Sequence, residues 1–320
     1  MGDATGSTFS FASRPGGRGA RFGVLRMRSV GPVLSVVAVI VVIWYAGSVW
    51  LNSQWTIDQA ARTGVELTFT DILRDTMDQR RPKLPPPHQV AGVLWDGVAG
   101  HPVTSPRSLV WHSWITVQAT LTGFGLGLVV GILMAVGIVY SRVLDLSLMP
   151  WAVISQTIPI IALAPMIVVL SNSLGLGDRL GVENRLVSKT IIAAYLSFFP
   201  VFIGMVKGLR SPEAAHVDLL HTYSANTWQS FVKLRLPASV PYLFASLKVS
   251  IAAALVGAIV GELPTGAVEG LGARMLVASQ FGQPLLMWGA LFAAAIVAGL
   301  LILLVGVIQK AADARMGIRL

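Results

Sequence analysis

Cysteine is absent from all 320 residues, so neither disulfides nor thiolate metal sites contribute to this chain's stability or chemistry. Charge is scarce as well: Asp, Glu, Lys and Arg make up 12% against 54% hydrophobic residues, a balance that a water-soluble domain of this length could not enclose. No G-x-x-x-x-G-K-[ST] phosphate loop occurs; the only Lys followed by Ser or Thr is Lys189, and Ser188 rather than glycine precedes it. The chain therefore does not bind and hydrolyse ATP by itself. Neither H-E-x-x-H nor G-x-S-x-G is found, and the five histidines are scattered over loops and span ends, which argues against a membrane enzyme. The middle of each long apolar run also lacks a carboxylate, the group a proton-coupled carrier would bury and tune there.

What remains is an integral membrane protein. Six apolar runs predict six spans: Gly31–Leu51, Val117–Tyr140, Leu146–Leu170, Val187–Leu209, Val240–Leu263 and Leu285–Ile308. Arg14, Arg18, Arg21, Arg26 and Arg28 precede the first run, as they would in a signal peptide. That run, however, is as long as a spanning helix needs and no A-x-A-like cleavage site follows closely, so it reads as a retained helix. The formal charge of +9 could suggest a nucleic-acid partner, but the basic residues sit in short segments beside apolar runs. With a cytoplasmic N-terminus, the inner segments hold the five arginines, Arg142, then Lys207, Arg210, Lys233 and Arg235, and finally Lys310, Arg315 and Arg319. Bilayer orientation by the positive-inside rule explains that placement.

The expected organisation is a basic tail (1–30), a first transmembrane helix (31–51), a polar extracytoplasmic segment (52–116), a core (117–309) and a short cytoplasmic tail (310–320). The extracytoplasmic segment includes DILRDTMDQRRPK at Asp71–Lys83, the run Pro85–Pro87, and Trp55, Trp95, Trp111 and Trp114. It is compatible both with a plain solvated loop and with a partner-docking surface. Gly123, Gly127 and Gly131 recur at four-residue spacing, which lets helix backbones approach closely. The segment Pro264–Pro284, with Gly266, Gly270, Gly272 and Gly282, has the glycines a re-entrant loop requires.

Between the fourth and fifth spans lies a polar, helix-compatible segment, 210–239. Ser211 and Pro212 suit a helix start, Ser224-Ala225-Asn226 a turn, Thr227–Leu236 a second helix, and Pro237 and Pro241 the boundary of the fifth span. Two short helices with a turn suit insertion into a partner's groove; an ordinary amphipathic interfacial loop has the same pattern. Inside the spans, Gln156 and Thr157 precede Pro159 and could bond a solute in transit or glue helices together. Lys248 and Glu262 are separated by about 21 Å of helix and cannot pair within it. Lys248 is expected to snorkel or pair with another helix, and Glu262 to line the outer entrance or meet a delivery protein.

The polar segment resembles the cytoplasmic loop of ABC importer permeases, in which an acidic residue is followed by small residues, a glycine and a terminal Leu-Pro. Asp218 takes the acidic position, Ser224 the glycine position and Leu236-Pro237 the end. Ala162-Leu163-Ala164-Pro165, Trp228-Gln229, Lys233 to Ser239, Val256-Gly257-Ala258 and Gly261-Glu262 extend the likeness to the nitrate, sulfonate and taurine permease group. Within that group the chain is most similar to permeases for pyrimidine thiamin precursors and riboflavin. The likeness covers about Leu84 to Gly306, and it departs from the pattern at Leu219 and Leu220, which replace small residues, and at Ser224.

The resemblance implies an all-α type I importer permease in a bacterial inner membrane, with both termini cytoplasmic and no bound cofactor. ATP and Mg would reside on two separate cytoplasmic ATPases that engage Asp218, Leu219, Leu220, Ser224, Ala225, Trp228, Leu236 and Pro237. A second permease, identical or paralogous, and an extracytoplasmic solute-binding protein would complete the assembly, with Gln156, Thr157 and Glu262 along the solute path. The expected cargo is a small polar or heteroaromatic solute. An ion-gradient-driven carrier or channel is the alternative.

Overall fold

The computed structural model describes residues 21–266 and 269–316, with side chains from Gly31 onward. The N-terminal arginines Arg14 and Arg18, and Arg319, lie outside the described residues. The chain divides at Met77/Asp78 into two compact units.

The first unit contains α1 (Arg21–Thr63) and α2 (Phe69–Met77). The expected span ended at Leu51, but α1 continues to Thr63 because Asn52 to Arg62 contains no helix breaker. Its 43 residues measure about 64 Å, roughly twice the hydrocarbon thickness. Gly64, at φ +69°, stops it, and the Val65 amide donates to the Ala60 carbonyl at 3.2 Å. The α2 start is capped by Asp71, which accepts from the Thr68 amide at 3.1 Å, and Thr56 of α1 donates to Asp75 of α2 at 2.6 Å. Much of the expected polar loop is thus helical.

The second unit opens with α3 (Pro87–Ala99), where Pro86 is the N-cap and Pro87 supplies the preset φ of a first helical residue. Next come α4 (Leu109–Tyr140), α5 (Arg142–Ser155), α6 (Ile160–Ser173), α7 (Leu176–Leu180) and α8 (Asn184–Leu209). Beyond α8 lie α9 (Ala214–Thr222), α10 (Thr227–Ser230), a π-helical turn (Phe231–Arg235), α11 (Leu236–Glu262), α12 (Leu271–Gln280) and α13 (Pro284–Arg315). The second span begins eight residues before the expected Val117 because Ser108 caps it, accepting from the Val110 amide. Trp111 and Trp114 consequently belong to α4 rather than to the extracytoplasmic segment.

At the centre, α8 is held between α4 and α11 by small residues. Gly123 lies against Ala193, Gly127 against Ser197, and Gly131 against Phe198, whose carbonyl oxygen would be 2.7 Å from any added Cβ. Numbers rise together along this seam, so α4 and α8 run parallel. On the other side Gly257 meets Ala193, Gly204 meets Ser246 and Gly208 meets Ser239, so α11 runs antiparallel to α8. Phe202, Met205 and Leu209 are fully enclosed between these helices with Ile138.

Since α4 and α8 start at the same face, the chain between them must return across the unit. It does so through α5 and α6, which bend by 103° at Gln156–Pro159. The expected third span is therefore broken, not continuous: Pro159 lacks an amide donor and disfavours helical geometry at Ile158, whereas Pro150 and Pro165 are carried inside their helices. Among the described residues five helices are long and apolar enough to cross a membrane, and the bent pair, taken as one broken span, makes a sixth. The chain is an all-α protein with six candidate spans.

Candidate functional site

At the face where α4 and α8 end, the segment linking α8 to α11 is built from tightly specified local structure. Expected capping by Ser211 is replaced by Glu213 at the N-cap of α9, and the Ser211 hydroxyl instead donates to the Gly208 carbonyl at 2.7 Å. The end of α9 is a Schellman motif: the Ala225 amide donates to the Leu220 carbonyl at 3.0 Å and the Ser224 amide to the His221 carbonyl at 2.9 Å. Ser224, with φ +53°, is the one non-glycine residue in the left-handed region among the described residues. It adopts the conformation that glycine reaches without a Cβ clash.

Asn226 then starts α10 with a capping box, its side chain accepting from the Gln229 amide at 2.8 Å while Gln229 accepts from the Asn226 amide at 2.9 Å. No residue of α9 or α10 is buried. Three large apolar side chains at this turn face away from the fold: Leu219 is 53% exposed, Tyr223 77% and Trp228 69%. Asp218 and Ser224 are exposed too, while Leu220 and Ala225 are half-buried.

Leu236 and Pro237 do not bound the segment as expected. The helix runs without interruption from Thr227 to Glu262. Pro237 has no amide and its ring would crowd the carbonyl four residues earlier, so the preceding turn widens to π geometry, with the Leu236 amide donating to the Phe231 carbonyl. The turn is therefore joined to a transmembrane helix with no coil between them.

Aromatic and ionic contacts tie this junction to its neighbours. Trp228 packs on Phe231 at 5.7 Å, and Phe231 meets the edge of Tyr140 at 5.8 Å. The Arg235 guanidinium lies 6.0 Å from the Tyr140 ring centre and donates to the Leu209 carbonyl at 3.1 Å, satisfying an orphan acceptor at the end of α8. Arg210 pairs with Asp145 of α5 at 2.8 Å. A cavity of about 320 Å³ opens beside these residues, with Tyr140, Val217, His221 and Asn226 in its wall. Nothing in the loop pattern singled out Tyr140 or Arg235; an Arg next to Leu-Pro and a Tyr closing an apolar run were the available signals.

The opposite face carries a second polar network. Glu262 is fully buried; one carboxylate oxygen accepts from the Thr116 hydroxyl at 2.8 Å and lies 3.7 Å from Lys189 Nζ, and the other accepts from the Gly272 amide at 2.7 Å. Thr116 in turn accepts from the Leu271 amide at 2.9 Å, and His112 Nδ1 from the Gly270 amide at 3.0 Å. Gly270, at φ +121°, lies so close to the carboxylate that no side chain would fit. These bonds join α4, α8, α11 and the start of α12. The carboxylate is enclosed by the first turn of α12, the Thr116 hydroxyl and the buried Lys189 ammonium, which together satisfy its charge.

Gln156 and Thr157 are not joined to that network. Both lie in the α5–α6 break, where Gln156 Nε2 reaches Ser155 Oγ at 3.3 Å and Thr157 donates to the Ile154 carbonyl at 2.8 Å. Tyr195 of α8 donates to the Ser155 carbonyl and so fastens the break to the core. Lys248 is half-buried on α11 near Gly306 of α13 and makes no ion pair among the described residues.

The described residues thus form a multi-span helical membrane protein in which an exposed, tightly capped turn feeds straight into a spanning helix. Residues 127–318 match the family of binding-protein-dependent transport system inner membrane components, and the chain belongs to that family. It is the permease of a binding-protein-dependent ABC importer, a multi-pass inner-membrane protein that works with an ATPase and a binding protein. A probable ABC transporter permease of Haemophilus influenzae is 34% identical over 57% of this chain and 70% of its own length. The riboflavin transport system permease of Chloroflexus aurantiacus is 31% identical over 71% and 78%, and the formylaminopyrimidine transport permease of Halalkalibacterium halodurans 32% over 54% and 65%.

Proposed function

We propose that this permease imports a small nitrogen heteroaromatic or related polar solute, driven by two cytoplasmic ATPase subunits that engage the segment 210–239 of this chain and its counterpart in a second permease. Both termini are cytoplasmic in this reading, ATP and Mg belong to the ATPases, and a second permease copy or paralogue completes the pathway. The observation that carries the reading is the turn between α9 and α10, where Leu219, Tyr223 and Trp228 are exposed on a backbone locked by two capping motifs. A groove in the ATPase would bury these side chains, and Asp218 beside them would supply the polar rim. ATP-driven closure of the ATPases moves the turn, and the unbroken helix Thr227–Glu262 carries that movement across the membrane.

The basic residues at this face, Arg142, Lys207, Arg210, Lys233, Arg235, Lys310 and Arg315, support its cytoplasmic placement. The heteroaromatic cargo is drawn from the names of the riboflavin and formylaminopyrimidine permeases; Gln156 and Thr157, at the break in the third span, are the groups proposed to meet it. Glu262 contributes by holding the far end of the path in shape.

Replacing Leu219 by Asp together with Trp228 by Ala tests the coupling assignment in the complete assembly. Each apolar side chain contributes about 1.5–3 kcal/mol on burial, so ATPase copurification falls by at least about tenfold. Unchanged assembly and unchanged solute-stimulated ATP turnover would sink it. Uptake of labelled riboflavin, an aminopyrimidine and an alkanesulfonate into proteoliposomes carrying the same assembly decides the cargo: preference for the sulfonate would overturn the heteroaromatic reading.

A further inference from the structure

At the face opposite the turn, α3 packs across the starts of α4 and α13, with Val93 against Gly289. Beneath this contact lies an open cavity of about 650 Å³, within the range of small-ligand sites. Its wall divides by chemistry. Leu109, Leu285, Leu286 and Val93 give an apolar floor, and two guanidiniums, Arg107 from the loop before α4 and Arg274 from α12, share the rim. Neither guanidinium has a hydrogen bond or an ion pair among the described residues, although both are within a site with little competing negative charge. Asp96, the one carboxylate in the wall, lies 3.7 Å from His101.

A third feature separates this cavity from a plain basic patch. Gln89 in the wall donates through Nε2 to the Gln79 carbonyl at 3.3 Å, but its Oε1 is buried and accepts nothing. A matching ligand thus combines anionic oxygens for two arginines, a hydroxyl or ammonium donor for Gln89 and Asp96, and an apolar tail. The depth fits as well: Leu109 and Leu285 are at the first turns of two spanning helices, which is the headgroup level of a bilayer.

We infer that this cavity holds the headgroup of a glycerophospholipid, its phosphate between Arg107 and Arg274, its glycerol or ethanolamine donor toward Gln89 and its acyl chains leaving past Leu285 and Leu286. Arginine is suited to the role because its planar donors bind phosphate oxygens in pairs. An acidic side chain of a delivery protein would need the rim but not the apolar floor. The bound lipid would brace α3 against α4, α12 and α13, and two of these elements, α4 and α12, also carry the Glu262 network.

Native mass spectrometry of the full chain in its assembly, released from detergent, tests the inference. Phosphatidylglycerol and phosphatidylethanolamine are expected to remain bound, and R107A/R274A to weaken both by at least about tenfold. R107K/R274K, which keeps the charge, gives an intermediate loss, while elution volume and helicity report that the variants are folded. Q89L removes the preference for these lipids over phosphatidylcholine, whose headgroup has no donor. Wild-type retention of lipid in R107A/R274A overturns the proposal. So does full displacement by inorganic phosphate or dodecanesulfonate, which would make the site one for free oxyanions, or protection of Arg107 from modification only when the binding protein is added, which would make it a protein dock.

Discussion

Ser224 carries a conformational cost that its position explains. A residue with a Cβ in the left-handed region is disfavoured by about 1–2 kcal/mol, yet the Schellman motif and the capping box on either side leave it no other geometry. Ser224→Gly relieves that cost while loosening the unfolded chain, so the net gain is about 1 kcal/mol and shows as a rise in melting temperature of the purified permease. Ser224→Val, β-branched, moves it in the opposite direction and distorts the turn that presents Leu219 and Trp228. Equal melting temperatures for serine, glycine and valine would mean that the turn is not held as described. Ser224 was visible in the sequence as a departure from a glycine position; that its neighbours lock it could only be seen once the amides of Ser224 and Ala225 were traced to their carbonyls.

Among elements, the helix Thr227–Glu262 shows how proline can be read two ways. In sequence, Pro237 and Pro241 mark a boundary, since proline usually ends a helix. In the structure they are inside one, because a π turn absorbs the first and α11 carries the second. Pro237→Ala restores an amide donor and relieves a penalty of about 3 kcal/mol, so the π turn is expected to revert to α geometry. The register of Thr227–Arg235 then rotates against α11 by about 100°, one residue's worth of helix. The variant should be more heat-stable and yet lose solute-stimulated ATP turnover while keeping basal turnover; hydrogen exchange of Phe231–Leu236 would report the change of turn. Retained stimulation would separate the π geometry from coupling. The α5–α6 pair shows the converse: of Pro150, Pro159 and Pro165, only Pro159 breaks the helix, where the Ser155 carbonyl accepts from Tyr195.

For the molecule as a whole, the Lys189–Glu262 pair is the connection that holds one end of the bundle together. Both side chains are buried, and the carboxylate also anchors Thr116 and Gly272, so loss of one partner leaves a stranded charge. Glu262→Gln or Lys189→Met alone is expected to cost about 3–5 kcal/mol, whereas the double variant falls well short of the sum, as a thermal-shift double-mutant cycle would show. Additive losses would deny the pairing.

The apolar runs of up to six membrane crossings, the glycine seam on α4 and the polar segment between two spans were legible in the sequence. Each depends on local composition or on a period that a single helix imposes, and bilayer thickness converts apolar length directly into spans. The chain's own order of residues also carried the likeness to importer permeases, which the family match bears out. Tertiary structure alone decided the rest. It closed Glu262 into a network with residues 73 and 146 positions away, placed Arg235 on Tyr140 and Leu209, and gathered Arg107, Arg274 and Gln89 around one cavity. Such contacts join side chains remote along the chain, and whether a buried charge is paired or a helix survives its proline depends on which neighbour arrives, which no local pattern encodes.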